Sequence, residues 1–231
     1  LLRRISERLP TSFGYFSLDF KLKQFFKGYG YPPLIMNQMW LSAFTPAEQS
    51  LLFNGVVDVS PEKIYSELHT MSLPDGLTDE ERINAFYLRY YLSDDILFKV
   101  DRASMANSLE VRAPFLDNEL LSFAAAIPWE MKMRGFTTKY LLKQAASDLL
   151  PRSIVHRKKQ GFAIPVARWL TGSLRSLATD LLSERNLKKR GIFDHRYVHS
   201  LLHDHFHHKK DHRKPLWTLL VLHLWMDHYL P

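Results

Sequence analysis

Asp101 stands where a charged residue is least expected. Leu97, Asp101 and Met105 recur every four residues, with Ile96 and Val100 alongside. The carboxylate therefore lies on the apolar stripe of a helix rather than opposite it. An inward carboxylate costs free energy unless it is paired or used. Arg102, Glu110 and Arg112 follow closely in a segment otherwise apolar enough to be core. Two readings stand side by side. One is a buried salt-bridge network that locks a helix to its neighbour. The other is a functional use of the carboxylate, which needs more residues than these four. Lys139 is the next candidate. It falls in the first turn of a helix, where a cation opposes the dipole, so the position is either merely tolerated or answered by an anion. Residues 152–162 form a basic loop with Arg152, His156, Arg157, Lys158 and Lys159, followed by Gly161. Such a loop either faces water or meets a ligand. His199, His203 and His207 are spaced four apart, and two such histidines can share a metal. No HExxH glutamate or third ligand set accompanies them, so they read as a solvated basic helix end, and no metal site is assigned.

The elements that must position these groups read as helix after helix. Thr45-Pro46-Ala47-Glu48 and Thr78-Asp79-Glu80-Glu81 are capping boxes, and Ser60-Pro61-Glu62 starts a helix in the same way. Ser93, followed by Asp94 and Asp95, reads as the N-cap of the helix that carries Asp101. Ala113-Pro114 forces an extended residue, and Asp117 caps a new helix stopped at Pro128. Thr137 or Thr138 caps the helix holding Leu141, Leu142, Ala145 and Leu149. Pro165 opens another, Asp194 caps a helix from Tyr197 to about His208, and residues 215–231 form the last. The aromatics Phe13, Tyr15, Phe16, Phe20, Phe25 and Phe26 read as core. No clear alternating strand occurs. The chain reads as one mainly α region, residues 1–231, of about ten helices.

Composition narrows the function classes. The 231 residues are 46% hydrophobic and 24% charged, an ordinary globular balance. No apolar run reaches the roughly 18 residues of a membrane span. Zero cysteines exclude disulfides, thiolate metal sites and a cysteine nucleophile, and they fit a cytoplasmic protein. The net charge of +7 suits a nucleotide-sized anion. Nucleic acid is set aside, because no basic face interleaved with aromatics and no reader motif is present. Leu1 opens the chain, with Arg3, Arg4 and Arg8 close behind; this is neither a leader nor a natural start, so the chain reads as a fragment.

Lys99-Val100-Asp101-Arg102-Ala103-Ser104-Met105-Ala106, then Ser108-Leu109-Glu110-Val111-Arg112 and Pro114-Phe115-Leu116-Asp117, resemble the C-terminal synthetase domain of glutamine-hydrolysing asparagine synthetases. So do Lys139-Tyr140-Leu141-Leu142-Lys143, Leu150-Pro151 and Arg157-Lys158-Lys159-Gln160-Gly161-Phe162. The resemblance implies an ATP-dependent amide ligase that adenylates the aspartate side chain with Mg-ATP. Ammonia released from glutamine by a separate glutaminase domain then displaces AMP. By position in the motif, Lys159 is the cation that meets the phosphates and the leaving pyrophosphate, supported by Arg157, with Lys139 a further anion contact. Asp101 is the carboxylate at the reacting end, and Arg102, Glu110 and Arg112 frame it. The fold implied is the helical portion of an adenine-nucleotide α-hydrolase-like (ATP-pyrophosphatase) domain lacking most of its parallel sheet. The family's Ser-Gly-Gly-x-Asp-Ser loop does not occur in the sequence. The expectation is a fragment inactive by itself, without tight ATP binding. Its exposed apolar surface is compatible with a homodimer. The acceptor acid stays open, as does a non-catalytic interaction module.

Overall fold

The structure is a computed structural model that describes residues 11–14, 17–66, 73–158 and 164–230. Its helices are α1 (Leu18–Gly28), α2 (Pro33–Leu41), α3 (Pro46–Phe53), α4 (Pro61–Ile64), α5 (Asp79–Phe86), α6 (Phe98–Met105) and α7 (Asn118–Ala126). A π-helical stretch, Tyr87–Leu97, joins α5 to α6. The chain continues with α8 (Trp129–Lys132), the strands β1 (Met133–Arg134) and β2 (Thr137–Thr138), α9 (Tyr140–Ala146) and α10 (Arg152–Val155). It closes with α11 (Val166–Thr171), α12 (Arg175–Leu181), α13 (Glu184–Arg190), α14 (His195–Phe206) and α15 (Arg213–Tyr229). The mainly α reading holds. Part of the surplus over about ten helices consists of the single-turn pieces α4, α8 and α10. Two compact units emerge: Leu1–Ser72 with Ala163–Pro231, and Leu73–Phe162.

The first unit holds the core. Leu170, Leu182, Leu187, Val198 and Leu216 are fully buried, and Phe44, from the loop between α2 and α3, and Leu52 of α3 join them. The register is set by local chemistry. The Thr45 hydroxyl accepts from the Glu48 amide while the Glu48 carboxylate accepts from the Thr45 amide at 2.7 Å, which fixes the entry to α3. Asp194 caps α14 by accepting from the Tyr197 amide at 2.7 Å. Gly28 lets α1 and α2 approach closely, because a Cβ there would lie 2.8 Å from the Met36 carbonyl oxygen and 2.9 Å from Trp40 Nε1.

Two histidines sit inside this unit. His205, fully buried on α14, points Nε2 at the Ala167 carbonyl (3.3 Å), and its Nδ1 accepts from the His212 amide (3.2 Å). Those partners define the neutral Nε2–H tautomer. Burial pushes the pKa of His205 down to about 4. His223 donates Nδ1–H to the Leu219 carbonyl at 2.9 Å, and burial lowers its pKa too. The N-terminal aromatics are core only in part. Phe13 stacks on His205 and His208, with centroids 4.6 and 4.5 Å apart, whereas Phe25 is half exposed. Tyr15 and Phe16 lie outside the described residues.

The second unit is built differently. Thr78 and Glu81 form the expected capping box, and Asp117 caps α7 by accepting from the Glu119 and Leu120 amides at 3.0 and 3.1 Å. Ser93 is not an N-cap. It lies inside the π-helical stretch, because nothing between Asp79 and Met105 breaks the helix (no Gly, no Pro). Thr137 and Thr138 do not cap a helix either. They pair as β2 with Arg134 and Met133 of β1 across a turn in which Gly135 takes φ 57°. No described residue from 73 to 158 is buried.

Candidate active site

The groove that gathers the predicted charges lies within the second unit. Its volume is about 630 Å³, and its walls include Leu97, Val100, Asp101, Ser104, Glu110 and Arg112. The α6 helix supplies one wall. The segment after it turns back to supply the other. That turn is a Schellman motif: the Leu109 amide donates to the Ser104 carbonyl and the Ser108 amide to the Met105 carbonyl, both at 3.0 Å. Ser108 takes the left-handed conformation, φ 55°, at the position that usually falls to glycine.

Asp101 is on the apolar stripe, as its spacing indicates, but it is not buried. Its side chain is 60% exposed, with Arg102 at 3.9 Å. The stripe faces the open groove: Leu97, Val100 and Met105 on the same face are themselves exposed. Arg102 lays its guanidinium over the Phe98 ring, 5.0 Å from the centroid. Glu110 and Arg112 pair with each other. The four charges thus form two local, exposed pairs rather than one buried network. Pairs of this kind contribute about 0–1 kcal/mol each, so neither locks the helices together.

Lys139 stands one residue before α9 as its N-cap, not in its first turn, and takes φ 56°, ψ 39°. Arg157 follows α10, its amide donating to the Ile154 carbonyl at 3.2 Å. Neither Lys139 nor Arg157 is among the groove-lining residues. Lys159 lies outside the described residues. Ser104 and Ser108 are groove residues that the sequence reading did not single out. Part of the signal was there: positions 101 and 104 share one helical face by their i, i+3 spacing, whereas Ser108 reaches the groove through the turn that ends α6.

Charge and hydroxyls side by side on an apolar floor suit a ligand carrying a carboxylate or an amine. Mg²⁺ fits less well. It takes oxygen ligands in near-octahedral order. Among the described residues no three or more His, Asp or Glu side chains converge as a metal cage. The groove's two carboxylates already face guanidinium groups. These residues do not build a Mg²⁺ site of their own.

The family model for asparagine synthase matches residues 23–227, nearly the whole chain and both compact units. The chain belongs to the asparagine synthase family. Among relatives of this family, asparagine synthetase [glutamine-hydrolyzing] 1 of Bacillus subtilis is 36% identical over 149 residues, which is 64% of this chain and 23% of that protein. Asparagine synthetase [glutamine-hydrolyzing] of Gallus gallus is 31% identical over 121 residues, 51% of this chain and 21% of that protein. The amidase chyE of Penicillium rubens is 27% identical over 155 residues, 64% of this chain and 21% of that protein. The chain therefore spans under a quarter of the length of these relatives. No solved structure matches it. No helix among the described residues is long and apolar enough to cross a membrane.

Proposed function

We propose that this chain is part of the synthetase domain of an ATP-dependent, glutamine-hydrolysing asparagine synthetase. In the proposed reaction an oxygen of the aspartate side-chain carboxylate attacks the α-phosphorus of ATP, and pyrophosphate leaves. Ammonia, delivered from a glutaminase domain, adds to the β-aspartyl adenylate and displaces AMP. The observation that carries this reading is the Asp101 groove, with Ser104, Ser108 and Glu110 around it, in a chain of the asparagine synthase family. Both compact units belong to one domain in this reading.

Within it, Lys159 meets the developing charge on the pyrophosphate, where a fixed cation contributes most in the transition state. Arg157 supports Lys159, and Lys139 adds a further anion contact. Asp101 accepts from an amine at the reacting end, with Arg102 beside it and the Glu110–Arg112 pair on the facing wall of the groove. Mg²⁺ belongs to this reading as the counter-ion that the triphosphate brings. The exposed apolar face of the second unit is the side on which the remainder of the domain packs, so this chain alone forms half a nucleotide site.

The test is pyrophosphate release by the enzyme carrying this sequence, given aspartate, ATP and ammonia. Lys159→Ala abolishes release while circular dichroism stays unchanged. Near-normal asparagine synthesis by that variant would sink the Lys159 assignment. A second reading keeps the same chemistry on a different carboxylic acid, since the groove's charges and hydroxyls suit any acid that also carries an amine. A panel of carboxylic acids in the same assay separates the two, since asparagine synthetase requires turnover with aspartate.

A further inference from the structure

α14 and its C-cap carry four histidines at four-residue spacing, His195, His199 and His203 in the helix and His207 at the cap, which make two i, i+4 pairs of different character. In the first pair each Nε2 is engaged. His199 Nε2 lies 3.2 Å from the Leu182 carbonyl, His195 Nε2 lies 3.4 Å from Glu184, and the rings stand edge to face at 6.3 Å. In the second pair both rings are exposed, their centroids 4.3 Å apart and their planes 36° from parallel. His207 Nδ1 is 2.8 Å from the His203 carbonyl oxygen. A carbonyl only accepts, so Nδ1 carries the proton and Nε2 holds a lone pair. His203 Nδ1 lies 3.5 Å from the Asp204 carboxylate, which fixes the same tautomer. Among the described residues neither Nε2 has a hydrogen-bond partner.

We propose that His203 and His207 form a divalent transition-metal site at the C-terminal end of α14. Metal-bound histidines characteristically donate their other ring N–H to a carboxylate or a backbone carbonyl. Here both donations are already made, one of each kind. Two nitrogens each 2.0–2.1 Å from a tetrahedral ion lie about 3.3 Å apart. Rings 4.3 Å apart at their centroids can meet that requirement by small χ2 rotations at exposed positions. Two imidazoles on consecutive helical turns are the recurring half of helical zinc sites. Water completes the coordination, so the ion exchanges readily. Imidazole selects Zn²⁺, Ni²⁺ and Cu²⁺ over Mg²⁺, with Cu²⁺ bound more tightly than Zn²⁺. The site belongs to the first compact unit, and the Asp101 groove to the second. His205, between the two ligands in sequence, takes no part: it is buried, and both of its nitrogens are engaged.

The first pair is the internal control. Isothermal titration of the 231-residue chain with Zn²⁺ gives one ion per chain. His203→Gln and His207→Gln each abolish that one-to-one binding, whereas His195→Gln leaves it unchanged. Asp204→Asn weakens it about 10-fold, as loss of an orienting partner does. Titration with Mg²⁺ gives no heat, and Cu²⁺ binds more tightly than Zn²⁺. The proposal is overturned if the unaltered chain does not bind Zn²⁺, if His207→Gln still binds it one to one, or if His195→Gln loses it to the same degree.

Discussion

His205 gives the first unit an acid-labile core, and the size of the effect follows from its contacts. The neutral ring satisfies the Ala167 carbonyl through Nε2–H and the His212 amide through Nδ1. Protonation puts a hydrogen on Nδ1 where an amide already donates, and it places a charge in a site with no exposure. The nearest compensation, Asp211, is 3.9 Å away and already bonded to Arg213. The folded pKa is therefore pushed down to about 4 from an ordinary value of 6.5. Between those values the unfolded chain binds more protons than the folded one. The stability linked to His205 is thus fully present above about pH 6.5 and is lost as pH falls to 4. At 1.36 kcal/mol per pKa unit, the loss is about 3 kcal/mol. His212 and His223, whose pKa values burial also lowers, add to it in the same direction. The assay is urea unfolding at pH 7 and pH 4 for the unaltered chain and for His205→Asn, whose amide keeps hydrogen-bonding capacity without a titratable ring. The unaltered chain loses about 3 kcal/mol more than the variant over that interval. Equal losses in the two proteins would refute the argument, because the shared groups would then account for the whole effect.

Two other substitutions probe the backbone. Gly28→Ala sets a methyl against the Met36 carbonyl oxygen and Trp40 Nε1. Overpacking outweighs the better helix propensity of alanine and destabilises the first unit by about 1–2 kcal/mol, measured as a lower urea midpoint. Ser108→Gly relieves a left-handed residue at the end of α6 and stabilises the second unit by about 0.5–1 kcal/mol, read as a raised melting temperature.

Helix starts were legible wherever a single residue decided them. Thr45, Thr78, Asp117 and Asp194 each accept an amide hydrogen bond from within three residues of themselves, so no distant partner enters the outcome. Ser93 has the same local signature, yet the helix runs through it. A cap needs a chain that stops upstream, and Tyr90, Tyr91 and Leu92 offer no stop. The hairpin was hidden because four strand residues carry no periodicity, and its cause is the single turn at Gly135. The Asp101 groove was half legible. Spacing placed the carboxylate on the right stripe, but burial depends on what covers that stripe, and that is not encoded in residues 93–117. Lys139 shows a similar limit: its left-handed backbone follows from the hairpin before it, which its own neighbours do not announce.

The π-helical stretch sets the angular phase of the groove. Each of its turns takes up more residues than an α turn, so the azimuth of every residue after Leu97 depends on how many residues the wide segment absorbs. Apart from Leu97, both walls of the groove lie after those eleven residues, so the wide segment carries the groove as one piece. Removing one residue while α geometry is kept would swing the whole groove by about 100° relative to α5, with no change to any residue beyond Leu97 that lines it. The segment from Tyr87 to Leu97 works as a rotary spacer, tuned by its length.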